Sequence, residues 1–192
     1  MTGKGSLNHN SRKFHAKNTD PNRTHWNVEY CNEDIKDVYH ELFDDALKRY
    51  NDKQTRKDRK IDDYYEKIRS GKQEKLFHEV ILQIGDKDNM GSETMEGQLA
   101  AKILDEYMKG FQERNPTLRV FAAHLHLDEA TPHLHIDFIP YVTGSKRGLD
   151  TRVSLKQALS SLGFKGGSRS ETELNQWVQS EKRKISYGHE RK

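Results

Sequence analysis

Two alternating stretches, "TLRVFAAHLHLD" at 117–128 and "HLHIDFIPYV" at 133–142, constrain the fold more than anything else in the chain. Successive side chains on a strand point to opposite faces, so a period of two specifies paired strands rather than helices. Val120, Ala122, His124 and His126 are expected on one face of the first strand, and Phe121, Ala123, Leu125 and Leu127 on the other. On the second, His133, His135, Asp137 and Ile139 oppose Leu134, Ile136, Phe138 and Pro140. Residues 128–132, "DEATP", suit a hairpin loop that Pro132 restricts. Antiparallel pairing then brings His126 beside His133 and His135, with leucines packed beneath.

Four of the ten histidines fall between His124 and His135. Imidazoles on neighbouring strand positions of one face converge on a single ion. The pattern therefore predicts a metal site of His126, His133 and His135, with further coordination positions open and Asp128 and Glu129 at hand to orient the rings. His124 and Asp137 share the face one step further away and are read as neighbours. Three imidazoles accept Zn²⁺, Mn²⁺, Fe²⁺ or Ni²⁺. An open site activates water or polarises a phosphate oxygen. The protease pattern H-E-x-x-H is absent. Hydrolysis of a small substrate and cleavage of a nucleic-acid backbone both stay open on these residues alone.

The rest of the chain reads as strands alternating with helices. A strand is expected at 25–30, and a helix from Glu33 to Asn51 with Ile35, Val38, Leu42, Phe43, Ala46 and Leu47 as its apolar stripe. A short helix ends near Gly71, a strand covers 76–85, and a helix runs from Glu93 to Arg114. Further helices are expected at 154–162 and 171–184. The fold class is α+β, a single domain with an antiparallel sheet and helices on one face. One cysteine excludes an intrachain disulfide framework, and no apolar run reaches the ~20 residues of a membrane span. Both point to a cytoplasmic protein.

Charge is segregated, although the formal net charge is only +3. Lys4, Arg12, Lys13, Lys17 and Arg23 crowd the first 23 residues, and Lys146, Arg147, Arg152, Lys156, Lys165 and Arg169 follow the second strand. Residues 86–113 are acidic. Such segregation suits a polyanion held by some segments and repelled by others. The basic start, "NHNSRKFHAKNTDPNRTH", places His9, Arg12, His15, Arg23 and His25 among asparagines. Arg donors bind phosphate, Asn reaches sugar or base edges, and Phe14 and Trp26 offer surfaces for exposed bases. As an isolated segment, this start is too polar to fold.

Together, "HNSR" (9–12), "NTDPNRTHWNVEY" (18–30) and "HLDEATPHLH" (126–135) resemble the Mob/Pre, or MobV, plasmid mobilisation and recombination relaxases. These belong to the HUH endonucleases, named for two histidines flanking an apolar residue, here His133-Leu134-His135. The match in motif order and spacing spans roughly residues 8–140. The resemblance implies an HUH-type sheet and a site- and strand-specific DNA transesterase. Such an enzyme nicks a plasmid origin of transfer, keeps the 5′-phosphate covalently and releases a 3′-hydroxyl. It implies His9 as nucleophile, Glu129 as its hydrogen-bond partner, and Arg12 as the phosphate clamp. His126, His133 and His135 would hold Mn²⁺ or Mg²⁺, in a site that Zn²⁺ or Ni²⁺ also suits.

The implied partner is single-stranded or hairpin origin DNA, contacted by Asn10, Arg23, His25, Trp26, Lys146, Arg147 and Arg152. The implied setting is the bacterial cytoplasm. Tyr30 is the alternative nucleophile, because many HUH enzymes use tyrosine and the family's usual Asn-Tyr-Glu is Asn27-Val28-Glu29 here. Relatives carry an extra strand before H-N-x-R, for which eight residues leave little room, and continue into a helical carboxy-terminal region for dimerisation. A rolling-circle initiator or single-strand transposase shares the site chemistry. A metal-stabilised DNA-binding module would close the site with a fourth ligand.

Overall fold

In a computed structural model, which describes residues 2–3, 6–14 and 16–190, the alternating stretches form the centre of one antiparallel sheet. The strands are β1 (Thr2–Gly3), β2 (Val28–Asn32), β3 (His78–Gln83), β4 (Leu118–His126), β5 (His133–Val142) and β6 (Arg152–Val153). Their order is β1-β3-β5-β4-β2, with β6 pairing the end of β5. The helices are α1 (Leu7–Asn10), α2 (Ile35–Asp52), α3 (Tyr64–Ser70), α4 (Met95–Lys109), α5 (Phe111–Arg114), α6 (Leu155–Ser161) and α7 (Glu173–Glu190). Asp34, Asp63, Thr94 and Ser154 cap α2, α3, α4 and α6 by accepting backbone N–H groups that the first turn leaves unpaired.

The architecture is the expected α+β domain, with three corrections. Helices cover both faces of the sheet. Leu125, Leu134, Ile136 and Phe138 on one face pack against α4, α5, α6 and Trp177 of α7. Phe121, Ala122 and Ile139 on the other pack against Val38, Tyr39 and Phe43 of α2 and Tyr64 of α3. Second, the register of β4 shifts between Val120 and Ala122. That bulge turns Val120 to the face of the leucines and puts Phe121 on the face of the histidines, the reverse of strict alternation. Third, the edge strand before His9 exists as Thr2–Gly3, paired with Val80 and Glu79.

Element ends differ as well. Residues 24–26 form a 3₁₀ turn, so the strand expected from 25 starts at Val28, and the helix expected from Glu93 breaks at Gly110. The basic start is not a loose tail where it is described. Helix α1 lies across the half of the histidine-bearing face that α2 and α3 leave open, and Leu7 packs against the α2 side of the core.

The hairpin loop between β4 and β5 is braced from the segment that leads into α4. Ser92 donates through its amide to Ala130 O (3.1 Å) and through Oγ to Glu129 O (2.9 Å). Gly97, one turn into α4, lies so close to this brace that a Cβ would overlap the carbonyl of Gly91. Helix propensity favours Ala over Gly by about 1 kcal/mol. Backbone has no rotamer to yield, however, and overpacking costs about 1–3 kcal/mol. Gly97→Ala is expected to destabilise the protein, read as a lower urea midpoint at unchanged slope; a raised midpoint would show that the 86–94 segment moves freely.

Candidate active site

Pairing of β4 with β5 sets His126 opposite His133 and His124 opposite His135. The rings of His126, His133 and His135 pack with centroids 4.8–5.2 Å apart. One nitrogen of each ring lies within 4.8 Å of the others. Each ring is anchored through its remaining nitrogen. His126 Nε2–H donates to Asn10 O (2.8 Å), His133 Nδ1–H to Thr131 O (2.8 Å), and His135 Nδ1–H to Glu79 Oε1 (2.7 Å). These acceptors fix the tautomers, so His126 Nδ1, His133 Nε2 and His135 Nε2 carry lone pairs.

His126 Nδ1 and His133 Nε2 stand 3.4 Å apart, and His135 Nε2 is buried without a partner. Two imidazole ligands about 2.1 Å from one ion sit roughly 3.0–3.5 Å from each other. Burial pushes His126 down to about 2 and lowers His133 as well, which keeps both rings neutral as ligands must be. The residues fit a divalent ion.

The amino-terminal segment docks onto this cluster through polar groups. Asn10 is buried, and its Nδ2 donates to Glu79 Oε1 (2.8 Å) and Asp137 Oδ2 (3.1 Å). Burial alone would raise Glu79, but hydrogen bonds from His135 and Asn10 outweigh it and hold the carboxyl below its usual range. Asp137, buried beside that charge, is pushed up to about 7.

Arg12 sits in the left-handed region (φ 52°), which turns its guanidinium back toward the hairpin loop. Its Nε and Nη2 meet Asp128 Oδ2 and Oδ1 at 2.9 and 2.5 Å, and Nη2 also meets Glu129 Oε1 at 2.9 Å. Against the opposing effect of burial, these bonds pull Asp128 to about 2. His9 Nε2 lies 3.4 Å from Glu129 Oε1 and 3.3 Å from Arg12 Nη1. The His9 ring stands 6.0 Å from that of His126 and 6.4 Å from that of His135.

The structure thus brings His9, Asn10, Arg12, Glu129, His126, His133 and His135 together. His124 pairs with Glu29 (3.2 Å) instead of joining the cluster. Arg23 shapes the site: Nη1 donates to Leu127 O (3.0 Å) and Glu129 O (3.2 Å). His25 and Trp26 lie on the 3₁₀ turn with Trp26 exposed, and Phe14, also exposed, has its ring 5.9 Å from His9. His15 lies outside the described residues.

Tyr30 is turned away. It sits at a register shift of β2, packs on the leucine face and donates to Asp105 Oδ1 (2.8 Å), and burial raises its pKa further. Lys146, Arg147 and Arg152 follow the far end of β5 and do not reach the histidines. Asp128, expected to orient the histidines, is bound to Arg12 instead. Glu79 belongs to the site although no motif marks it, and Asn18 (to Glu129 Oε2, 2.6 Å) and Asn27 (accepting from Leu127 N, 2.7 Å) join it from the 18–30 motif without having been given a role.

The family model for Mob_Pre, described as a plasmid recombination enzyme, matches residues 5–192. The chain belongs to the Mob/Pre family. Among solved structures, it is similar to the relaxase domain of MobM, a MOBV protein bound to plasmid pMV158 oriT DNA in a Mn-bound crystal at pH 5.5. That likeness has 25% identity and a TM-score of 0.52, and it covers 94% of this chain and 77% of the other. A second MobM complex, crystallised at pH 4.6, gives 24% identity and a TM-score of 0.49 over the same shares. Among curated proteins, none matches the chain. No described helix is long and apolar enough to cross a membrane.

In this Mob/Pre site the Arg12–Asp128 pair is nearly enclosed, with side-chain exposures of 8% and 0%. Removing one partner of a buried ion pair strands the other and costs about 3–5 kcal/mol. Arg12→Ala is expected to lose stability of this order in urea denaturation, and Arg12→Lys to recover only part, because an ammonium cannot make the two-point contact. A wild-type midpoint for Arg12→Ala would mean that the pair does not hold the segment down.

Proposed function

We propose that this protein is a metal-dependent DNA relaxase that nicks one strand at the origin of a plasmid or mobile element through a covalent 5′-phosphate intermediate on His9. The observation that carries this reading is the position of His9. Its ring stands beside the rings of His126 and His135 in the three-histidine cluster, and its Nε2 faces Glu129. The Mn-bound, DNA-bound MobM relaxase domain supports the same reading.

Glu129 Oε1, 3.4 Å from His9 Nε2, is the acceptor in reach of its proton, since Arg12 Nη1, 3.3 Å away, can only donate. With Nε2–H directed at Glu129, the lone pair rests on Nδ1. That nitrogen attacks phosphorus, the P–O3′ bond breaks, and the phosphorus–nitrogen bond conserves the strand's energy for rejoining. The proton that passes from Nε2 to Glu129 balances the one the departing 3′-oxygen takes from water. A divalent ion held by His126, His133 and His135 supplies charge neutralisation at the phosphate. Imidazole donors favour Mn²⁺ over the oxygen-seeking Mg²⁺. Arg12, already committed to Asp128 and Glu129, acts as much by fixing Glu129 as by clamping phosphate. Arg23 acts by holding the hairpin loop, and Trp26 and Phe14 are the exposed rings on which unpaired bases stack.

The decisive experiment incubates the protein with single-stranded origin DNA of its host element, with and without Mn²⁺. A covalent adduct is expected with wild type and Tyr30→Phe, and none with His9→Ala. The adduct should be acid-labile, as a phosphoramidate is and a tyrosine ester is not. An adduct that survives His9→Ala refutes the nucleophile, and a complete lack of nicking refutes the enzyme.

Metal binding is tested separately by thermal unfolding. Mn²⁺ at about 100 times its dissociation constant adds about 2.7 kcal/mol. That amounts to a rise of roughly 5–10 °C for a chain of this size. His133→Ala should abolish most of the rise. Glu79→Gln, which weakens the anchor of His135, should reduce affinity about 10–100-fold. Equal rises in all three proteins would place the ion elsewhere.

A further inference from the structure

Glu129 stands closer to the metal centre than a role at His9 alone requires. Its Oε1 lies 3.7 Å from His133 Nε2, and with His9 and His126 it makes up a second group able to hold an ion. Within the three-histidine cluster, His126 Nδ1 and His133 Nε2 are 3.4 Å apart. Two ligands about 2.1 Å from one ion sit roughly 3.0–3.5 Å from each other. Glu129 is therefore just beyond the distance of a fourth ligand. A carboxylate beside a divalent cation is drawn to it by charge. As a fourth ligand it would take the coordination position that a catalytic site keeps open for water or substrate. Some restraint has to hold it back.

The backbone of Glu129 is fixed by Ser92 Oγ (2.9 Å) and Arg23 Nη1 (3.2 Å), both donating to its carbonyl. These bonds set where the side chain starts and not how its end turns. Arg12 Nη2 holds Oε1 at 2.9 Å. The terminal torsion of Glu is broad, so one contact on Oε1 leaves the carboxylate plane free to rotate. The second contact comes from Asn18, whose Nδ2 donates to Oε2 at 2.6 Å. Asn18 is delivered by a turn tied to the same hairpin loop: the Thr19 amide donates to Ala16 O (3.1 Å), and the Asp20 amide to Asp128 O (2.7 Å). As a neutral amide it directs the carboxylate without cancelling its charge. Among the described residues, Glu129 is the one side-chain hydrogen-bond partner of Asn18.

We propose that Asn18 is a positioning residue that keeps Glu129 turned to His9 and off the metal, so that the histidine site stays open for phosphate. The proposal rests on the strand-cutting reading of that site. It separates sharply from a merely structural role. Loss of a structural support loosens the loop and weakens metal binding and strand cutting together. Loss of Asn18 as a restraint frees Oε2 for the ion, so metal binding tightens while strand cutting slows.

The test uses the full chain and two measurements. Mn²⁺ affinity is read by electron paramagnetic resonance titration without DNA, and adduct formation by a single-turnover assay on single-stranded origin DNA. Asn18 is exposed, and a surface substitution of this kind changes stability little, so Asn18→Ala folds. In Asn18→Ala, Mn²⁺ should bind about tenfold tighter, the lower end of what an outer partner is worth to a metal site. The adduct should form about 10–100-fold more slowly, as a misplacement of about 1 Å costs. On a Glu129→Gln background, adding Asn18→Ala should leave Mn²⁺ affinity unaltered, because no carboxylate remains to be released. An unchanged or weaker Mn²⁺ affinity in Asn18→Ala overturns the proposal. So does adduct formation at the wild-type rate, or an affinity gain that persists without the carboxylate. The Mn²⁺ measurement needs no DNA, so a wild type that forms no adduct refutes the strand-cutting reading and leaves the restraint on Glu129 to be judged by the metal.

Discussion

The buried amide of Asn10 is the contact on which the site depends. It donates to Glu79 and Asp137 at once, while the backbone carbonyl of Asn10 accepts a hydrogen bond from His126 Nε2–H. Glu79 in turn holds His135. One residue of the amino-terminal segment thus touches the supports of two of the three clustered rings. An unpaired buried donor or acceptor costs about 1–3 kcal/mol, and more when it is charged. This network is therefore worth most when it is complete, and loss of the segment would leave Glu79, Asp137 and His126 short of partners together. The segment next to His9 is consequently fixed by the same bonds that set the tautomers of the rings.

That arrangement explains how so polar a start finds a place. Leu7 is its main apolar contribution, so burial of hydrocarbon cannot hold it. Charged and polar bonds hold it instead: Arg12 to Asp128, Asn10 to Glu79, Asn18 to Glu129, and the amide of Asp20 to Asp128 O. Such bonds add little net stability relative to packed hydrocarbon but are demanding in geometry. The nucleophile proposed at His9 would benefit from that demand, since a misplacement of about 1 Å is enough to cost an enzyme about 100-fold in rate.

The histidine cluster was readable in the sequence because strands impose a period of two, and His126, His133 and His135 keep it across the hairpin. The order of α and β elements was readable for similar local reasons. Phe121 was not: a bulge is set by how β4 must curve beside β5 and α2, and nothing at 120–122 marks it. The direction of Tyr30 was hidden likewise, since strict alternation along β2 breaks at the shift between Glu29 and Cys31. Glu79 escaped notice because its partners lie 56 and 69 residues away, and "FHEVIL" looks like any buried strand. Coverage of both sheet faces was hidden too, because the α2 stripe does not say which surface it meets. Arg23 carried the right residue type, but only the folded loop shows that it is spent on backbone carbonyls.

Two overlapping groups in this site offer three ligand atoms each: His126, His133 and His135, and His9, His126 and Glu129. Electrostatics decides between them. A cation among the second group would sit against Arg12, whose Nη2 lies 2.9 Å from Glu129 and whose Nη1 lies 3.3 Å from His9. Two like charges at about 4 Å repel by about 4 kcal/mol even at an effective dielectric of 20. It would also occupy a nitrogen of His9 and the carboxylate of Glu129 that faces it. Arg12 is not in hydrogen-bond contact with any ring of the first group, and each of those rings is already tied back by its other nitrogen. The Arg12 guanidinium would therefore favour an ion on the histidine side of Glu129, while itself staying in contact with both Glu129 and His9.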